Sequence, residues 1–316
     1  MSVPRTNPSF WRDRTVVVTG GAGFLGSHVV RRLESFGARV VVPRHAEHDL
    51  TKHGVAEKYF ATHKPSHIIH LAARVGGIEY NQAEPAPLFL DNLQMGVNVI
   101  EAARTAGVEK TTILGTVCSY PKFTPVPFRE ESIWDGYPEE TNAPYGIAKK
   151  ALLVHAQVNN QQYGQRFAFV IPTNLYGPGD KFHESVSHVI PALIKKCVEA
   201  KECGVDKVHV WGTGAASRDY LYVSDAAAAI VLAAELHDGT EPLNLGNNQI
   251  EDAFVRFKAL ADDYGAQLRI TRLRPSGRGV DSWNDLRKLC FTVTALIFIG
   301  FAIVLAAWGF LEFWNT

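Results

Sequence analysis

Tyr145 and Lys149 stand four residues apart in the segment NAPYGIAKKALL. On a helix that spacing puts both side chains on one face. An ammonium beside a phenol favours the phenolate and lowers its pKa from ~10 toward the working pH. Such a tyrosine donates a proton to a carbonyl oxygen as hydride arrives, or takes one in reverse. The pattern Y-x-x-x-K is common and gains its weight from Thr116, which closes the run TTILGT. A hydroxyl there emerges at the carboxyl edge of a strand, where ligands of open α/β sheets bind. Thr116 is expected to hydrogen-bond the same carbonyl oxygen.

A second group of residues suits a phosphate. The run TVVVT leads directly into Gly20-Gly21-Ala22-Gly23-Phe24-Leu25-Gly26, which satisfies both G-x-x-G-x-x-G and G-x-G-x-x-G. Between a strand and a helix, such glycines let the backbone approach a pyrophosphate, and the helix start offers free N–H donors. An NAD site places an acid about 20 residues on, at the end of the second strand. Here that strand ends Val42-Pro43-Arg44-His45, with no carboxylate. Arg44 would meet a 2′-phosphate, so NADP(H) is the expected cofactor.

The elements that must position these groups alternate between short β-rich runs and longer helical patterns, the signature of a parallel sheet wrapped by helices. Strands are expected at residues 15–19, 38–42, 67–70, 111–115 and 166–171, with helices through about Phe36, at 55–63, 88–106 and 145–163. After Pro172 the regularity loosens into short strands at 208–210, 220–223 and 243–245 and helices at 188–200 and 225–236. The expected architecture is a Rossmann-type doubly wound α/β sheet at residues 13–172, then a smaller, interleaved substrate-binding region at 173–285.

Residues 289–311 form an uncharged run of 23, LCFTVTALIFIGFAIVLAAWGFL, preceded by Arg287 and Lys288 and followed by Glu312. That is long enough to span a ~30 Å hydrocarbon core, and the flanking charges would keep the preceding chain in the cytoplasm. A membrane-spanning helix is therefore expected there, a buried helix or an altered reading frame being the alternatives. The N-terminus has no apolar run of signal-peptide length before the first strand.

Composition sets the outer bounds. Thirty-two basic residues balance 32 acidic ones over 316 residues, so nothing draws the chain to nucleic acid in general. The hydrophobic share of 46% excludes a disordered chain. Cys118, Cys197, Cys203 and Cys290 include no C-x-x-C pair and read as reduced thiols. On the residues alone, Cys118 is a small buried hydrophobe. His183 and His188 are poorly spaced for one helical face and have no third partner, so no metal is expected.

Taken in order, the glycine turn, HLAA at 70–73, Asn92, Thr116 and Tyr145/Lys149 resemble the extended short-chain dehydrogenase/reductases. Within that family RVGGI at 74–78, TVCSYPK at 116–122, PTNLYGPGDKFH at 172–183, SHVIPALIKK at 187–196 and SRDYLYVSD at 217–225 resemble the GDP-L-fucose synthase branch. The resemblance covers about residues 14–247. It implies a homodimer acting on the nucleotide sugar GDP-4-keto-6-deoxy-D-mannose, inverting carbons 3 and 5 and reducing carbon 4 with NADPH. It implies that Cys118 and His188 are the base and acid of inversion. Tyr145 and Lys149 would then stabilise the enolate and protonate the alcohol, with Thr116 alongside. It implies cofactor contacts at Gly20, Gly23, Phe24, Leu25, Gly26, Arg44, Ala72, Asn92, Tyr145, Lys149, Pro172, Asn174, Leu175 and His188, and substrate contacts at Lys196, Trp211 and Arg218.

The chain departs from the pattern in three places. Thr116 stands where Ser is commoner, and Ala22 where some members carry arginine. From Gln249 onward the usual substrate lobe gives way to RLRPSGRGVDSW and the apolar run. Two other readings remain open at this point. A retained-cofactor epimerase or dehydratase has the same fold, but a dehydratase would carry an acid directly after Thr116, where Val117 and Cys118 stand. A membrane-tethered nucleotide-binding protein with a damaged lobe is the other.

Overall fold

The structure, a computed structural model, describes residues 6–183, 187–205, 207–211, 218–246 and 269–273. The elements are α1 (Pro8–Trp11), β1 (Thr15–Thr19), α2 (Phe24–Ser35), β2 (Arg39–Val41), α3 (Val55–His63) and β3 (His67–His70). Next come α4 (Ile78–Ala83), α5 (Pro85–Thr105), β4 (Lys110–Leu114), α6 (Ala143–Tyr163), β5 (Phe167–Pro172) and β6 (Asn174–Tyr176). The remainder are α7 (Val189–Glu202), β7 (Lys207–Trp211), β8 (Tyr220–Tyr222), α8 (Val223–Leu236), β9 (Leu243–Leu245) and β10 (Arg269–Leu273).

Two compact units result, Met1–Asp180 with Tyr220–Gly246, and Lys181–Asp219 with Asn247–Thr316. The first is built on a six-stranded sheet in the order β2-β1-β3-β4-β5-β9, parallel throughout. Strands buried on both faces need apolar, β-branched runs rather than alternation, and TVVVT in β1 and FAFVIP in β5 supply them. One face packs Val16, Val18, Ile69 and Val170 against Leu25, Val29 and Leu33 of α2 and Ala226, Ile230 and Val231 of α8. The other packs Val17 and Ile68 against α3 and α5, and Ile113, Phe169 and Ile171 against Leu152, Leu153 and Ala156 of α6. Strand order reverses between β1 and β3, the switch point at which such sheets hold ligands.

The remaining strands β6 and β8 pair parallel, Asn174 opposite Tyr220. In the second unit α7 buries Ile190, Leu193 and Cys197, and β7 pairs parallel with β10.

Most expected elements sit within one or two residues of their place. Two differences matter. The sequence places α6 from Tyr145, whereas it starts at Ala143, with Pro144 in the first turn, where a missing N–H does no harm. Residues 243–245, expected among the irregular later strands, form β9, the sixth strand of the main sheet. The short elements α1, α4, β6 and β10 carry no periodic signal long enough to read. Among the described residues no helix is long and apolar enough to cross a membrane, and the run at 289–311 lies outside them.

Phe169 has no exposed surface and fills the layer between β5 and α6. Phe169→Ala is expected to destabilise the protein by about 3–5 kcal/mol, read as a lower midpoint in urea unfolding.

Candidate active site

The glycine turn follows β1 at the switch point. Gly20 has φ +72°, and a Cβ there would sit 2.7 Å from the Ala72 amide nitrogen. A Cβ on Gly26 would collide with the Gly20 carbonyl. Gly23 begins α2 with no side chain capping it, which leaves the first-turn N–H groups for an outside acceptor. A cradle closed to any larger residue and an uncapped helix start suit a dinucleotide pyrophosphate. Phe24 is half-buried at its rim, Leu25 is buried below it, and Ala72 donates its N–H to Thr19 Oγ1 at 3.2 Å. Arg44 is exposed and opens the turn after β2, its carbonyl accepting from the Glu47 and His48 amides.

Asn92 is hydrogen-bonded within the first unit. It is buried, its Oδ1 accepts from the Arg74 N–H at 2.9 Å, and its Nδ2 donates to the carbonyls of Arg74 at 2.9 Å and Leu88 at 2.6 Å. Its side chain holds the segment after β3 on α5. Pro172 ends β5 opposite Leu245, while Asn174 and Leu175 lie in β6.

Thr116 and Cys118 share one short turn. Thr116 is buried, and its Oγ1 accepts from the Cys118 amide at 3.2 Å, starting a 3-10 turn over Val117–Ser119. That leaves the Thr116 hydroxyl proton available to an oxygen in the site. Ser119 Oγ donates to the Gly146 carbonyl at 3.0 Å, and a Cβ on Gly146 would collide with the Cys118 carbonyl. The turn therefore rests directly on the first turn of α6, beside Tyr145. None of Cys118, Cys197 and Cys203 is in a disulfide.

Lys149 lies one turn on, with its Nζ 5.8 Å from the Tyr145 ring centre. It is fully buried, and burial alone lowers its pKa to about 8. Tyr145 departs from the expectation. Burial raises the phenol pKa, and the thiolate form of Cys118 raises it further. Burial thus opposes the phenolate that the Lys149 spacing alone suggests.

The second unit carries the other candidates, each described by itself. His188 is exposed and occupies the N-cap position of α7, but its ring makes no capping bond. Lys196 is half-buried on α7, Trp211 ends β7, and Arg218 is exposed two residues before β8.

One residue that the sequence offered only as part of HLAA belongs to this edge. His70 ends β3, is fully buried, and its Nδ1 lies 2.7 Å from Thr19 Oγ1. The signal was present, since a histidine ending a buried apolar strand needs a polar partner.

Residues 16–246 match the model of the NAD dependent epimerase/dehydratase family. The chain is 42% identical over 239 residues to GDP-L-fucose synthase 1 of Arabidopsis thaliana, covering 75% of this chain and 74% of the relative. A crystal structure of a GDP-L-fucose synthetase from Naegleria fowleri superposes with a TM-score of 0.73 at 27% identity, covering 85% of this chain and 83% of that one. The NADP-bound form of that synthetase gives 0.71 at 26% identity, covering 86% and 84%.

Burial of Lys149 makes a prediction about stability. Its folded pKa of about 8 lies below the ordinary 10.5. Below about pH 8 both folded and unfolded chains hold the proton, and the full penalty of burying the ammonium applies. Between there and about pH 10.5 only the unfolded chain holds it, so folding stability rises with pH. Lys149→Met is expected to raise the urea midpoint at pH 7, with the advantage shrinking across that window.

Proposed function

The chain belongs to the NAD dependent epimerase/dehydratase family and groups with its GDP-L-fucose synthases, and from that premise we propose that it converts GDP-4-keto-6-deoxy-D-mannose to GDP-L-fucose. It is an NADP-dependent epimerase-reductase. The observation that carries the reading is the seating of the Cys118 turn on the first turn of α6, which sets a thiol beside the reducing phenol.

Protons next to a ketone are acidic because the enolate spreads the charge onto oxygen. Inversion needs a base on one face of such a carbon and an acid on the other. Cys118 serves as the base and His188 as the acid, imidazole titrating near neutrality. Thr116 and Tyr145 hold the carbonyl oxygen, and Lys149 offers positive charge from behind the phenol. When bound, NADPH supplies the hydride for carbon 4. Tyr145 then gives its proton to the oxygen that becomes the hydroxyl. The glycine turn with Phe24, Leu25 and Ala72 holds the pyrophosphate side of the cofactor, Arg44 its 2′-phosphate, and Pro172, Asn174, Leu175 and His188 its nicotinamide side. Asn92 acts through Arg74. Lys196, Trp211 and Arg218 take the GDP-sugar.

Two further features extend the reading. Leu90 on α5 and Val154 and Val158 on α6 are exposed apolar side chains on packed neighbouring helices, and we infer that they meet a second copy in a homodimer. The uncharged run at 289–311 is proposed as a tether that keeps the catalytic part on the cytoplasmic side of a membrane.

Purified chain is to be mixed with GDP-4-keto-6-deoxy-D-mannose and NADPH, following absorbance and identifying the sugar by NMR. The expected result is NADPH oxidation with a fucose-configured product, blocked in Cys118→Ser. Oxidation that yields an uninverted sugar would remove the roles given to Cys118 and His188. Tyr145→Phe is expected to lose about 10²–10⁴ in turnover. Sedimentation tests the extensions. The full chain should pellet with membranes, the chain cut after residue 285 should not, and both should be dimers in detergent; a soluble full chain or a monomer removes the corresponding inference.

A further inference from the structure

His70 and Lys149 are both fully buried, and neither His70 Nε2 nor Lys149 Nζ has a hydrogen-bond partner. The sheet register brings them into one layer. Thr19 is the register partner of His70, His70 of Ile113, and Ile113 of Phe169. Side chains in register on parallel neighbours point to the same face. Ile113 and Phe169 pack against Leu152 and Leu153 of α6. His70 therefore lies on the face of the sheet that α5 and α6 cover, the face on which Lys149 is buried, at the carboxyl edge where β1 and β3 part. Its other nitrogen is fixed, with Nδ1 2.7 Å from Thr19 Oγ1, which itself accepts from the Ala72 amide at 3.2 Å.

We propose that His70 is a positioning residue for Lys149: anchored through Thr19 at the switch point of the sheet, its neutral ring is the dipole that solvates the buried ammonium. An ammonium away from water is stabilised only by the dipoles around it. An imidazole bonded to a hydroxyl can meet either state of the lysine. With Nδ1–H donating to Thr19, Nε2 turns a lone pair toward the ammonium. With Thr19 donating to Nδ1, Nε2–H faces the neutral amine. The ring stays uncharged throughout, since burial and then the Lys149 charge hold its pKa at about 3. The other titratable groups around this layer are Tyr145 on α6 and Cys118 on the turn after β4. From α5 comes Glu101, bonded to Arg104, His155 and Asn159.

The inference rests on Tyr145 and Lys149 being the reducing pair, so its test is read without substrate. The full chain, labelled with [ε-13C]lysine and assigned with Lys149→Met, is titrated by NMR. In His70→Phe the Lys149 midpoint should fall by about one pH unit, because an apolar ring solvates the ammonium less. His70→Gln should restore it to within about 0.3 unit, an amide being a dipole of similar reach. Thr19→Val should move it the same way by less, and carries the test if His70→Phe does not fold. The basic limb of the pH–rate profile for NADPH oxidation should follow each shift. A Lys149 midpoint unmoved in both His70→Phe and Thr19→Val overturns the proposal, as does an equal fall in His70→Gln. Failure to turn over the GDP-sugar with these shifts present would count against the substrate reading alone.

Discussion

The contact on which the site depends is the approach of the first turn of α6 to the backbone after β4. Gly146 lies so close to the Cys118 carbonyl that no side chain fits between them, and Ser119 bonds the Gly146 carbonyl. The placement of the candidate residues around α6 follows from that seating. It brings Tyr145 beside the Cys118 turn. It buries Lys149 one turn later. It also closes the layer in which Ile113 and Phe169 meet Leu152 and Leu153.

A seat this tight sets the electrostatics. Attraction between Lys149 and Tyr145 would favour a phenolate in water, but Lys149 is fully buried and Tyr145 half-buried. Desolvation acts on the charged form of each, so the lysine is a weaker cation and the tyrosine a stronger holder of its proton. On the proposed reading the pair gives a proton to an oxygen that is gaining charge, at the moment when that oxygen supplies the missing counter-charge. The glycine turn works on the opposite plan, with backbone donors and no ionisable side chain inside the cradle.

Much of this was legible because it is written in short-range pattern. TVVVT followed by three spaced glycines defines β1, the turn and α2 with hardly any tertiary information. Tyr145 and Lys149 are legible because four residues make one helical turn. What could not be read depends on contacts between distant segments. The rise in the Tyr145 pKa needs the depth of burial, which spacing does not encode. The hydrogen bonds between Asn92 and Arg74 need the distance across the gap from α5 to the segment after β3. The place of His70 needs the register of β1, β3 and β4, which is fixed only when the sheet forms. The three-residue strands β6 and β9 have too few residues to show a period.

The order in which the chain supplies its parts has a consequence for its synthesis. The face of the sheet bearing Val16, Val18, Ile69 and Val170 is covered by α2 and by α8, and α8 comes from residues beyond the excursion into the second unit. A ribosome that has just released β5 must add the stretch from Pro172 to Leu236 before that cover exists. At ~5–20 residues per second the wait is on the order of ten seconds. During it a parallel sheet with an apolar face stands open on the nascent chain, and that interval is when the protein most needs a chaperone.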